Sequence, residues 1–194
     1  MPVCCGEAAQ IMIVAAEMAY FGIRFTEVSF SVRVRSIREQ LREGMRLLHA
    51  FTSSRLFSWC ERTMFSTPYS YANCHLSIGT SNLVQVSESG VSIFDTEMSV
   101  AKRLATRAGD ETWEGQVFLP RRSVERSSRY FFGRLAGHTM AYPFLENDKL
   151  SLEPSPATGV LQMIVDSTFT PQEWLMRPDA THAKSRTYRE PVGI

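Results

Sequence analysis

The chain has 194 residues and a mass of 22.0 kDa, with 21 Lys and Arg against 20 Asp and Glu, which gives a formal net charge of +1. That length suits a single domain, and 44% hydrophobic with 21% charged residues excludes a disordered or fibrous chain. A uniformly basic nucleic-acid-binding protein is also excluded. We therefore expect no recognition of a specific DNA sequence.

The amino-terminal segment predicts a cytoplasmic protein that is neither secreted nor membrane-spanning. No Lys or Arg precedes Arg24, and Glu7 and Glu17 enclose an apolar run that is far shorter than the roughly 20 residues a membrane span needs. Reduced thiols are then expected. Cys4 and Cys5 are either an S-acylation site or two small side chains that pack with a terminal helix.

The first third of the chain predicts a helical arm followed by a strand–helix unit. Residues 8–21, rich in Ala, Met and Ile, predict a buried helix within an arm over 1–23. Residues 26–35 alternate apolar and polar side chains, the pattern of a half-buried strand. The capping-box spacing from Ser36 to Glu39 then predicts a helix, with an apolar stripe that continues to Leu48.

The remainder predicts a mostly antiparallel sheet closed by a short helix. The predicted strands cover residues 74–78, 82–86, 91–94, 113–119, 129–135, 139–145, 149–153 and 160–166. A helix is predicted over 96–108, and a second capping box at Thr170–Glu173 predicts a short helix that ends before Pro178. The fold class is therefore α+β, with one domain over 1–177 and an extended tail over 178–194.

Motifs for nucleotide, metalloprotease and serine-hydrolase chemistry are absent from the sequence. The cysteine spacing does not supply the paired ligands of a zinc site, so we expect no metal and no cofactor. One enzymatic alternative stays open. It is a cysteine-dependent enzyme that uses Cys60 or Cys74 with a histidine, because a thiol needs a base close to it in space.

Charge is segregated along the chain. Residues 24–62 hold eight Arg against four Glu, and residues 101–134 hold eight Lys and Arg against four Asp and Glu, whereas residues 135–175 are net acidic. Such blocks favour binding of an anionic partner and head-to-tail self-association. The predicted partner-binding residues are Arg33, Arg35, Arg38, Arg42, Arg46, Arg121, Arg122, Arg126 and Arg129.

Aromatic side chains lie in the same region as the second basic block. The predicted interface aromatics are Trp113, Tyr130, Phe131 and Phe132. Three consecutive aromatic residues in a strand must fall on both of its faces, so either both faces are buried or one face contacts a partner.

Two stretches, VSFSVRVRS at 28–36 and WEGQVFLPRRS at 113–123, resemble the matrix proteins of rhabdoviruses. The resemblance covers residues 28–51 and 113–145. It implies a non-enzymatic viral structural protein, found in the virion and the host cytoplasm, that self-assembles, condenses a ribonucleoprotein and contacts an acidic membrane surface.

A further alternative comes from the segment Gln85–Gly90, which is similar to the DxSxxG loop of PilZ domains. That similarity implies a degenerate β-barrel that senses a ligand. The leading expectation is nevertheless a non-enzymatic assembly protein that uses arginine-rich faces.

Overall fold

The structure is a computed structural model that describes residues 4–5, 8–20, 22–35, 43–100, 103–120, 127–153 and 159–191. Its strands, in chain order, are β1 (Cys4–Cys5), β2 (Ala8–Ala9), β3 (Ile11–Tyr20), β4 (Ile23–Arg35), β5 (Glu43–Thr52), β6 (Tyr69–Tyr71), β7 (Asn73–Ser77), β8 (Ser81–Glu88), β9 (Val91–Ser99), β10 (Arg107–Phe118), β11 (Ser127–Pro143), β12 (Lys149–Leu152), β13 (Glu173–Met176), β14 (Thr181–Lys184) and β15 (Tyr188–Pro191). The helical segments are α1 (Arg55–Cys60), a π-helix (Glu61–Phe65) and α2 (Gly159–Asp166).

A large sheet of nine strands organises the molecule. Its order is β13-β11-β10-β5-β4-β3, with β14 and β15 also paired to β11 and β6 paired to β5. The long strand β11 pairs with β10 along one edge, and the three short carboxy-terminal strands follow one another along its other edge. Residues 181–191, within the predicted tail, therefore add two strands to this sheet.

One side of the large sheet packs against a second, four-stranded sheet of order β12-β9-β8-β7. We call this side the apolar face. Its buried side chains come from both sheets and from α2, and they include Val28, Phe30, Phe51, Phe94 and Leu161.

The other side of the large sheet is covered by α1 and the π-helix, and we call it the charged face. A smaller cluster of buried residues lies there, and it includes Leu47, Tyr69 and Phe131. The pairing of β4 with β5 shifts between Phe30, which pairs with His49, and Ser31, which pairs with Leu47. The extra residue in β5 reverses the alternation of its side chains, so Leu47 and Ala50 both lie on the charged face although they are three residues apart.

The α+β prediction is wrong, because each segment predicted as a helix contains a strand in the described part of the chain. Residues 11–20 of the predicted amino-terminal helix form β3, which pairs with β4 along its whole length. Its Ile, Val and Ala side chains fit a half-buried strand as well as a helix, so composition did not distinguish the two.

The helix predicted in the second half of the strand–helix unit is also wrong. The predicted strand lies within β4, but residues 43–52 form β5. Met45 and Leu47 are both buried there, two residues apart. The capping box at residues 36–39 and most of the predicted stripe lie outside the described residues.

Two further predicted elements are wrong, because their buried residues are spaced differently from the prediction. Within the helix predicted at 96–108, Thr96 and Met98 are buried two residues apart in β9, which is strand periodicity. The strand predicted at 160–166 is instead α2, in which Leu161 and Ile164 are buried three residues apart. The capping box that begins at Thr170 leads into β13, because Glu173 pairs with Pro143.

None of the helices in the described part of the chain is long and apolar enough to cross a membrane.

Candidate functional site

Four ionisable side chains converge on the charged face of the large sheet. Glu27 comes from β4, Glu61 from the π-helix, Tyr69 from β6 and Lys184 from β14. Hydrogen bonds join them in two pairs, and the charges of Glu61 and Lys184 both act on Glu27. The site therefore combines residues that are distant in the sequence.

Glu61 is held by an unusual local backbone. Helix α1 continues directly into the five-residue π-helix that begins at Glu61, and Ser66 ends this segment in the left-handed region, with a φ of 55°. The Thr67 hydroxyl donates to Glu61 Oε2 at 2.7 Å, and the carboxylate is buried. Short π-helices and left-handed residues other than glycine concentrate at functional sites, because both are less stable than ordinary helix.

Lys184 is directed at Glu61 from the opposite end of the chain. Its Nζ donates to Oε1 at 2.9 Å and to Oε2 at 3.0 Å. The ammonium also lies over the Phe131 and Phe65 rings, 4.7 Å and 5.2 Å from their centroids. The Lys184 side chain is 23% exposed, so the amine is largely desolvated but can still be reached from solvent.

Glu27 is the second carboxyl group of the site. Burial raises its pKa to about 7; the positive charge of Lys184 and the hydrogen bond from Tyr69 oppose this rise, and the negative charge of Glu61 adds to it. The Tyr69 hydroxyl donates to Glu27 Oε2 at 3.0 Å. A carboxyl group with a pKa near 7 can both donate and accept a proton at neutral pH, which suits general acid–base chemistry.

The surroundings of this carboxyl group explain its pKa. The Phe57 ring stacks on Phe25 at 4.4 Å and contacts Tyr69 edge-on at 5.7 Å. Apolar rings cannot solvate a negative charge, so the neutral carboxyl form is favoured. Burial, with the nearby carboxylates, likewise raises the pKa of Tyr69, which keeps its hydroxyl protonated.

The two cysteines of the enzymatic alternative lie on different elements. Burial raises the pKa of Cys74 to about 12, so Cys74 is a neutral thiol at neutral pH and is not a thiolate nucleophile. The adjacent His75 is exposed. Cys60 is the last residue of α1 and is half-buried.

The predicted arginines do not form one cluster in the described structure. Arg33 and Arg35 both pair with Glu43, and Arg46 is exposed on β5. Arg129 is buried, and its guanidinium donates to the carbonyl oxygens of Ser66 and Pro120. The other five lie outside the described residues: Arg38, Arg42, Arg121, Arg122 and Arg126. Self-association and contact with a nucleoprotein or membrane stay predictions.

The predicted interface aromatics divide between the two sides of the large sheet. Phe131 belongs to the buried cluster of the charged face, and Trp113 lies on that same side of β10. Tyr130 and Phe132 point to the other side of β11, where both contact Tyr188, and Phe132 is partly exposed. Of the four, Phe131 is the one that touches the ionisable site.

Sequence reasoning selected none of Glu27, Glu61, Tyr69 and Lys184. One signal was available, since Glu27 is an acidic residue inside an otherwise well-patterned strand. Lys184 carried no such signal because it lies in the predicted tail. In the part of the chain that the structure describes, no group of three or more His, Cys, Asp or Glu side chains is arranged to hold a metal ion.

The fold is similar to that of solved acetoacetate decarboxylase structures. The structure is similar to acetoacetate decarboxylase from Legionella pneumophila, with a TM-score of 0.56 and 14% identity over 88% of this chain and 67% of that one. A second acetoacetate decarboxylase structure matches with a TM-score of 0.55 and 11% identity over 87% and 69% of the two chains. At these identities the likeness establishes a shared fold.

The comparisons correct the predicted family. No protein-family model matches the sequence, and no curated protein matches it either. The resemblance to rhabdovirus matrix proteins is wrong, since the fold is that of acetoacetate decarboxylases. The predictions of a non-enzymatic viral assembly protein and of a PilZ-like barrel are wrong for the same reason.

Proposed function

We propose that this protein is an enzyme that forms a Schiff base between the Lys184 amine and the carbonyl carbon of a small substrate. The observation that carries the proposal is the desolvated Lys184 amine beside Glu61, with a second carboxyl group, Glu27, of pKa about 7. Lysine amines attack carbonyl groups in covalent catalysis, and a desolvated lysine is a recognised nucleophile of acetoacetate decarboxylase. The shared fold supports the same class of chemistry here.

The first steps follow from the contacts of Lys184. The ammonium passes one proton to Glu61, whose Oε1 lies 2.9 Å from Nζ. The neutral amine then adds to the substrate carbonyl carbon and forms a carbinolamine. Loss of the former carbonyl oxygen as water leaves a protonated imine on Nζ, so the step consumes no other reagent.

Glu27 and Tyr69 have the protonation states that the dehydration needs. With a pKa of about 7, Glu27 holds a proton in about half of the molecules at neutral pH, and it can donate that proton to the departing hydroxyl group. The Tyr69 hydroxyl fixes the carboxyl group in place through its 3.0 Å hydrogen bond.

The protonated imine then withdraws electrons from the neighbouring carbon. A carboxylate attached to that carbon can leave as carbon dioxide, and the carbon left behind then takes the proton that Glu61 received from Lys184. Water adds to the resulting imine, Glu27 takes up a proton from that water, and the product leaves the free amine. Decarboxylation of a β-oxo acid belongs to this class of reaction.

Reductive trapping tests the proposal directly. The chain holds three lysines, at 102, 149 and 184. Incubation with acetoacetate followed by sodium borohydride should reduce the imine to a stable secondary amine, which peptide mass spectrometry would locate at Lys184. Lys184→Met should abolish the adduct.

Lys149 provides the matched control. It is exposed and pairs with Glu97 on the small sheet. Lys149→Met should leave trapping at Lys184 unchanged. Equal labelling of Lys149 and Lys184, or no adduct on either, would contradict the proposal.

A further inference from the structure

The strands beside Lys184 carry a pair of glycines that hold an indole ring. Gly115 on β10 pairs with Gly133 on β11, and Gly133 pairs in turn with Lys184 on β14. These three residues form one row across the sheet, and their side-chain positions point to the charged face.

Trp113 fills the space that the two glycines leave open. A Cβ atom at Gly115 would lie 2.9 Å from Trp113 Cζ2, and one at Gly133 would lie 3.2 Å from Trp113 Cζ3. The six-membered ring of the indole therefore spans both glycines, and Gly133 is the one that pairs with Lys184. Any larger residue at either position would displace the ring.

Other rings complete the surroundings of the amine. A Cβ atom at Gly133 would also lie 3.8 Å from the Phe131 ring, so Trp113 and Phe131 both lie over this glycine. The Lys184 ammonium lies over the Phe131 and Phe65 rings. An imine formed on Nζ would lie against the Phe131 and Phe65 rings, with the Trp113 indole over the glycines of the same row.

From this arrangement we infer that the substrate is a carbonyl compound whose carbonyl group is conjugated with a planar aromatic ring. The inference rests on the proposed function, since it needs the Schiff base on Lys184. Offset-stacked and edge-to-face ring pairs gain about 0.5–1.5 kcal/mol beyond their buried area. A saturated ring of the same size gains apolar burial without that additional term.

A pair of aldehydes of equal ring size tests the inference. Benzaldehyde is planar and conjugated, whereas cyclohexanecarbaldehyde is saturated and puckered. Each is incubated with the full chain and sodium cyanoborohydride, and the rate of adduct formation at Lys184 is divided by the rate for free Nα-acetyl-lysine. We expect the normalised rate to favour benzaldehyde by roughly two- to tenfold, the range that the ring-pair energy gives.

Variants locate the origin of the preference. Trp113→Leu should reduce the preference severalfold while trapping of cyclohexanecarbaldehyde continues. Trp59→Leu is the matched control, because Trp59 is an exposed indole on α1. If Trp113→Leu does not fold, Phe65→Leu serves as the second variant, since Phe65 is partly exposed and lies 5.2 Å from the ammonium.

The outcomes separate the inference from the proposed function. Trapping of both aldehydes at Lys184 with equal normalised rates would overturn the inference and leave the Schiff base intact. A preference that neither Trp113→Leu nor Phe65→Leu changes would also overturn it. Absence of any adduct at Lys184 would remove the proposed function, and the inference with it.

Discussion

On the apolar face of the large sheet, Phe30 contacts Phe94 edge-on at 5.4 Å and Phe51 at 6.1 Å, and all three rings are buried. On the charged face, aromatic rings lie beside ionisable groups instead, as Tyr69 does at Glu27 and Phe131 at Lys184. The same strands, β4 and β5, contribute to both faces because alternate side chains point to opposite sides. One strand pair can therefore build a dry core on one side and a reactive site on the other.

The largest effect is expected on the apolar face. Phe30→Ala removes a fully buried ring that contacts two others, so we expect a loss of about 4 kcal/mol in the free energy of unfolding. Urea denaturation measures it. Phe132→Ala, at a partly exposed ring, is the control and should cost much less. Equal losses would contradict the assignment of the main core to the apolar face.

The two faces should respond to pH in opposite directions. Burial lowers the pKa of His49, whose ring lies beside Phe51 on the apolar face, to about 4, whereas the pKa of Glu27 on the charged face is raised to about 7. Because folding keeps His49 neutral, the free energy of unfolding decreases as the pH falls from 6.5 to 4. Because folding keeps Glu27 protonated, the free energy of unfolding decreases as the pH rises from 4.5 to 7.

These two opposed contributions should nearly cancel each other between pH 4.5 and 6.5. Glu27→Gln should leave a free energy of unfolding that rises with pH, and His49→Phe should leave one that falls, each by about 3 kcal/mol across its window. Urea denaturation at several pH values would measure both. Two variants with the same slope would contradict this account.

The next largest effect is expected for the ion pair between Lys184 and Glu61 on the charged face. Lys184→Met leaves the buried Glu61 carboxylate without its cation, and we expect a loss of about 2 kcal/mol, moderated by the partial exposure of Lys184. The double variant Lys184→Met with Glu61→Gln should recover most of that loss, because no charge is then left uncompensated. Additive losses in the double variant would show that the two side chains do not interact.

The smallest effect is expected for an ion pair of the same kind at the surface. Glu43 pairs with Arg33 and Arg35, and all three side chains are substantially exposed. Solvent screens such pairs, so Glu43→Gln should leave the melting temperature unchanged within error. A loss comparable to that of Lys184→Met would show that exposure does not distinguish these two pairs.

Several strands could be predicted from the sequence, whereas most of the helices could not. The alternation of Val28, Phe30 and Val32 with polar residues is a strong local signal, and β4 follows it. The Ala- and Met-rich segment that became β3 has no such alternation, and its ten-residue pairing with β4 decides its structure. Capping-box spacing was misleading at Thr170 because pairing with β11 outweighed a local hydrogen bond.

The sequence by itself determined the size of the chain, its globular composition and the alternating pattern of several strands, since these depend on neighbouring residues alone. Only the tertiary structure placed Lys184 against Glu61, which is 123 positions earlier in the chain, and set the half-buried Glu27 against Tyr69. The near-neutral total charge excluded a uniformly basic binder but did not reveal this site. The chemistry proposed here depends on desolvation and on contacts between distant segments, and neither leaves a local pattern in the sequence.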